Sequence, residues 1–96
     1  MFVILVNYIK PQEEIDKCLV EHRAYLDKFV ASGLLLCSGP RVPRTGGLIV
    51  ATAASKAEIE EFIRNDPFTI NGVSKCEIIE FNLVKCTEKL KPLIVG

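Results

Sequence analysis

Apolar and polar positions along this chain fall into short apolar runs separated by helical stripes. Phe2 to Tyr8 (FVILVNY) is a β-branched and aromatic run and predicts a strand. From Glu14 to Val30 the period changes. Ile15, Cys18, Leu19, Leu26, Phe29 and Val30 recur at about 100° per residue, which predicts a helix with one buried stripe. Pro11 stands where such a helix starts, and Glu13, Glu14 and Asp16 populate its first turn, where the macrodipole favours acids. Gly33 stops it after about Ser32. Leu34 to Ser38 (LLLCS) and Leu48 to Thr52 (LIVAT) predict two strands, paired as an antiparallel hairpin across a long loop from Gly39 to Gly47. Ser55-Lys56-Ala57-Glu58 has the capping-box pattern, in which each side chain satisfies the other's free N–H. Ile59, Phe62 and Ile63 give the inward face of the helix that follows. Asp66 is the next position on that stripe, and Pro67 ends the helix there. Phe68 to Val73 reads as a turn or short helix. Cys76 to Val84 (CEIIEFNLV) reads as a fourth strand, with Ile79, Phe81 and Leu83 on one face and Ile78, Glu80 and Asn82 on the other.

The order β-α-β-β-α-β is the ferredoxin-like pattern of an α+β protein, with both helices on one face of an antiparallel sheet. Residues 1–96 are expected to form one domain, with a core over 2–84 and a tail over 85–96 whose PLIV end is too apolar to float freely. Two helices cover one sheet face, so the other should alternate to polar residues. It does not. Val3 and Leu5 are apolar as well as Phe2, Ile4 and Val6, and Leu34-Leu35-Leu36 and Leu48-Ile49-Val50 are unbroken runs. The pattern therefore predicts a homodimer through the second sheet face, a dimeric α+β barrel, in preference to a monomer whose tail folds back over that face.

Composition narrows the function classes. Twelve acidic and twelve basic side chains cancel in 96 residues, so neither nucleic acid nor an anionic membrane is an expected partner. Met1 to Ile9 is too short for a membrane span and lacks the basic flank of a signal peptide. Cys18, Cys37, Cys76 and Cys86 are scattered through apolar runs without a CxxC pair, which points to buried, reduced thiols and a cytoplasmic chain. One histidine makes no zinc site with them. No metal ligand set, nucleophile elbow, P-loop or dinucleotide fingerprint is present, and no cofactor is expected.

His22, the single histidine, falls in the middle of the first helical stripe, between Leu19 and Leu26. Asp66 interrupts the stripe of the second helix. The topology lays the two helices side by side, so the carboxylate can meet the imidazole. A carboxylate on one ring nitrogen fixes the tautomer and leaves the other nitrogen as a general base. Burial favours a neutral ring and a carboxylate a charged one, so the two influences oppose each other. Each residue also has a plainer reading: a satisfied core histidine, and an N-cap followed by proline. In the glycine-rich loop, Arg41 and Arg44 can bind a carboxylate bidentately, and the Ser38 hydroxyl can donate or accept. Tyr8 and Asn7 end the first strand and are weaker candidates for lining a pocket. Arg23 lies on a different helix face from His22 and is expected in solvent, within reach of an anion at a pocket rim.

These segments together resemble the YciI-like (YCII-related) family. The likeness runs from Phe2 to about Phe81 and rests on the first strand ending at Tyr8, His22-Arg23-Ala24-Tyr25-Leu26, Leu36-Cys37-Ser38-Gly39-Pro40, Arg44-Thr45-Gly46-Gly47, Asp66-Pro67-Phe68 and Glu77-Ile78-Ile79-Glu80-Phe81. The resemblance implies a ferredoxin-like dimeric barrel with an active site centred on a histidine and an aspartate, which are His22 and Asp66 here. It implies that Ser38, Gly39 and Pro40 border the pocket. With Arg44, Tyr8 and Phe68 they are the candidates for binding a small-molecule substrate. Some relatives act as lyases or dehalogenases on chlorinated ring compounds, and the fold is shared with muconolactone isomerase-type enzymes. The expected activity is therefore elimination or isomerisation of a small organic acid or lactone. The alternative is a dimeric module that binds a metabolite without turning it over.

Overall fold

Strict alternation along the first strand decides which way the sheet faces. In the computed structural model, which describes residues 1–94, Phe2, Ile4 and Val6 of β1 (Phe2–Tyr8) are buried while Val3 and Leu5 are half-buried. α1 (Gln12–Ser32) follows Pro11, and Gly33 closes it at φ +86°, a left-handed conformation that suits glycine. β2 (Leu35–Pro40) and β3 (Gly46–Ala51) form the hairpin. α2 (Lys56–Arg64), the single-turn α3 (Pro67–Ile70), β4 (Ser74–Glu80) and the short α4 (Lys91–Ile94) complete the chain. The four strands make one antiparallel sheet in the order β2-β3-β1-β4, the ferredoxin-like arrangement.

Register sorts the side chains into two faces. Glu80, Phe2, Ala51 and Leu35 form one row under the helices, Ile78, Ile4, Ile49 and Ser38 the next, and Cys76, Val6, Gly47 and Pro40 the third. Ile15, Cys18 and Leu26 of α1 and Ile59 and Phe62 of α2 press onto these rows. Fully burying side chains such as Ile4, Ile15 and Ile59 contributes roughly 1.5–3 kcal/mol each. The Tyr25 hydroxyl donates to the Phe62 carbonyl at 2.7 Å and ties α1 to α2. On the opposite face, Ile79, Val3, Val50 and Cys37 share one row, and Glu77, Leu5, Leu48 and Gly39 the next. Ile79 is 49% exposed and Leu48 37%, so this face is apolar and uncovered within one chain.

Several boundaries differ from the sequence reading, each for a local reason. The hairpin loop is only residues 41–45, because β2 runs on through Gly39 and Pro40 and β3 begins at Gly46. Gly46 lies so close to β1 that a Cβ there would sit 1.9 Å from the Val6 carbonyl oxygen, so a glycine that looked like loop is a strand position where backbones approach. Leu36 bulges between Leu35 and Cys37 and shifts the register of β2. Cys37 is consequently exposed on an edge strand, which corrects the expectation of buried thiols; Cys18 is buried, Cys76 and Cys86 are partly so, and all four are free. Val30 turns outward at 47% exposure. The capping box closes differently: Ser55 Oγ accepts from Glu58 N, but Glu58 reaches back to the N–H of Ala54, one residue earlier than expected. β4 starts at Ser74 and ends at Glu80, with Phe81 N adding a bond to the Met1 carbonyl. Val95 and the Leu93 and Ile94 side chains, which bear on the apolar tail, lie outside the described part of the structure. No helix among the described residues is long and apolar enough to cross a membrane.

Candidate functional site

His22 sits one turn after Cys18 and one before Leu26, so the packing that buries those side chains carries the imidazole inward as well; the residue is 8% exposed. Asp66 arrives from the junction between α2 and α3. Asn65 ends α2 and Pro67 begins α3, leaving Asp66 extended at φ −69° and ψ 130° as the N-cap of α3. Its Oδ1 accepts from the Phe68 N–H at 2.9 Å, and His22 Nδ1 lies 2.7 Å from the same oxygen. The plainer reading of Asp66, a cap followed by proline, therefore holds, and the same oxygen also meets the imidazole. A backbone N–H only donates, so Oδ1 is an acceptor, and the Nδ1–H tautomer completes its shell. The opposite edge of the ring, with Nε2, has no protein hydrogen-bond partner among the described residues.

Phe68 fixes the ring from a third direction. Its ring stacks on His22 with centroids 3.7 Å apart and planes 2° from parallel, and Tyr8 meets Phe68 edge-on at 5.9 Å. The Asp66 charge is felt by its neighbours. Burial first, then the Asp66 carboxylate, push the Cys76 thiol up to about 11; burial first, then Asp66 and Glu61, push the Tyr25 hydroxyl up to about 12. Cys76 is therefore a protonated thiol at neutral pH and no nucleophile.

A cavity of about 200 Å³ opens beside the imidazole. His22, Tyr8, Ser38, Gly39, Pro40, Arg44 and Phe68 all line it, while Asn7 and Asp66 do not; the Asp66 carboxylate stands behind the imidazole, on its Nδ1 side. The apolar wall, made by Val6, Leu19, Leu26 and Ile49, was not singled out in the sequence, although the alternation of β1 and the α1 stripe contain it. Gly47 was missed as well. It faces the helices between Val6 and Pro40, and the missing side chain leaves the floor of the cavity open. Arg23 also lines the cavity, being one turn from Leu19, although it remains exposed. Arg41 does not; its guanidinium bonds Thr45 Oγ1 at 3.2 Å within the hairpin loop. Among the described residues no group of three histidine, cysteine or acidic side chains is placed to hold a metal ion.

The sheet is ferredoxin-like, and a buried imidazole–carboxylate contact stands beside a small cavity. The YCII-related domain matches residues 1–82, and the chain belongs to that family. No curated protein sequence matches it. A solved structure similar to it is the 5-chloro-2-hydroxyhydroquinone dehydrochlorinase of Burkholderia phenoliruptrix in complex with 2,5-dihydroxybenzoquinone, at a TM-score of 0.70 and 22% identity, over 85% of this chain and 94% of that one. At that identity the likeness establishes a shared fold.

Proposed function

We propose that the chain is an enzyme that removes a carbon-bound proton next to a carbonyl in a small organic acid or lactone, leading to elimination or isomerisation. His22 Nε2 takes the proton as general base, and Asp66 holds the imidazole in the Nδ1–H tautomer. The C–H electron pair moves into the adjacent carbonyl as an enolate. It then either returns at another carbon, with the proton handed back by His22, or expels a leaving group. Tyr8, Ser38, Gly39, Pro40, Arg44 and Phe68 surround the substrate, and the chemistry requires no cofactor. The observation that carries this reading is the 2.7 Å contact between two buried side chains at the wall of a cavity that His22 itself lines. The dehydrochlorinase with the same fold, named for loss of hydrogen chloride from a hydroxylated ring, supports elimination as the reaction class.

Proton NMR in deuterated buffer tests it. A panel of cyclic hydroxyketones, lactones and hydroxyquinones, including 5-chloro-2-hydroxyhydroquinone, should contain members whose acidic C–H signal disappears, or whose chloride is released, in proportion to protein concentration. Ligands that shift cavity resonances while no member of the panel exchanges or reacts would favour the binding-module reading instead.

The assembly we propose is a homodimer through the open sheet face. The rows containing Val3, Leu5, Leu48, Val50 and Ile79 support it, because an apolar face of this kind is rarely left to water. Sedimentation equilibrium at micromolar concentration should give twice the chain mass, and Val3→Glu with Val50→Glu should return it to the monomer. Four free thiols suit the reducing cytoplasm, where we propose that it acts.

A further inference from the structure

The cavity wall carries charge of one sign. Arg23 and Arg44 line it, and no aspartate or glutamate does. The two arginines are not equivalent. Arg44 Nη2 lies 3.5 Å from Asp16 Oδ1, an oxygen that also accepts from the Gln12 amide at 2.8 Å, so part of the Arg44 charge is already answered. Arg23 forms no ion pair among the described residues. Val6, Leu26, Ile49 and Phe68 share the lining with them, low-dielectric surface beside which the field of the guanidinium groups is less screened than in water. Size sets a second limit. A dry cavity of about 150 Å³ accommodates benzene, so about 200 Å³ takes one ring with a small substituent.

We infer that the ligand of this cavity is a ring-sized organic anion whose carboxylate or enolate oxygens are held by Arg23 and Arg44 while the ring lies against the apolar wall. The inference rests on the proposed function in taking the cavity as the ligand site, and it narrows the substrate from acid or lactone to the charged member. Guanidinium presents paired donors that match two adjacent anionic oxygens, which a neutral lactone carbonyl does not supply. Arg23 contributes more than Arg44, because binding to Arg44 competes with Asp16.

Titration with benzoate and its neutral isostere benzamide, followed through the backbone amide resonances of His22 and Phe68, tests this directly. Benzoate should bind about tenfold more tightly than benzamide, the scale of a hydrogen bond to a charged group, and its affinity should fall with added salt. Arg23→Gln should remove most of that preference and Arg44→Gln a smaller part. Asp16→Asn should widen it by releasing Arg44, a gain that a damaged fold does not produce. Equal affinity for the two probes overturns the inference while leaving the cavity as a ligand site. A preference that survives in the Arg23→Gln, Arg44→Gln double variant overturns the assignment to the arginines. Binding of neither probe at the cavity overturns both this inference and the proposed function.

Discussion

Turnover of any substrate found in the exchange screen is expected to fall about a thousandfold in His22→Asn, within the range that a positioned general base contributes. The magnitude follows from what remains. Asparagine can still offer an N–H toward Asp66 Oδ1, which His22 approaches at 2.7 Å, so the polar contact that ties α1 to the start of α3 persists in part. Nothing replaces Nε2, and no other lone pair of comparable basicity lines the cavity: Tyr8 and Ser38 carry hydroxyls, Arg23 and Arg44 are cations, and the rest is glycine, proline or hydrocarbon. The loss should therefore appear in kcat more than in KM. Stability should change by less than the loss of a large core side chain, about 2–5 kcal/mol, since the stack on Phe68 is the main apolar contact given up. Rates from exchange spectroscopy and unfolding curves in urea on the same two proteins separate the cases. An equal fall in stability and activity, or unchanged turnover, would remove His22 from the chemistry.

How much of this arrangement was legible beforehand differs between its parts. His22 and Asp66 were visible as polar intruders in apolar stripes, because helical periodicity reports the inward direction of a side chain without knowledge of its partner. The meeting of the two followed from topology, since β-α-β-β-α-β leaves one sheet face for both helices. The cavity floor was not legible. Gly46 and Gly47 look alike in a loop-like string, yet one is pressed against the Val6 carbonyl and the other opens the space between Val6 and Pro40. That distinction depends on cross-strand register, which the Leu36 bulge resets within β2. The bulge likewise brings Cys37 onto the exposed face of an edge strand despite its apolar surroundings in sequence. The sequence places Arg23 in solvent within reach of a pocket rim, and it is exposed and lines the cavity from its position one turn after Leu19.

Asp66 should be more costly to alter than His22, and its two substitutions should diverge. One oxygen accepts both the Phe68 N–H and the His22 ring, so Asp66→Ala leaves two buried donors unsatisfied and opens a small void. A destabilisation of about 2–6 kcal/mol is expected, from about 1–3 kcal/mol for each buried donor left without its acceptor. Asp66→Asn can keep its Oδ1 as an acceptor for both bonds and should cost no more than about 1–2 kcal/mol. The carboxylate does something that the amide does not. Only the charged group stabilises the imidazolium that forms when His22 takes a proton, and an amide turned to present its NH₂ would select the tautomer with the proton on Nε2. Asp66→Asn should therefore lower turnover at least a hundredfold, within the general-base range, while the protein stays folded. If Asp66→Asn lost stability in urea and kept its turnover, Asp66 would be a helix cap and an anchor between α1 and α3 and nothing more. If it kept stability and lost turnover, the local accident that makes Asp66 the cap of α3 would also be what aims His22 at the cavity. The Pro67 ring that keeps Asp66 extended and begins α3 would then set the geometry of the site as well as the boundary of a helix.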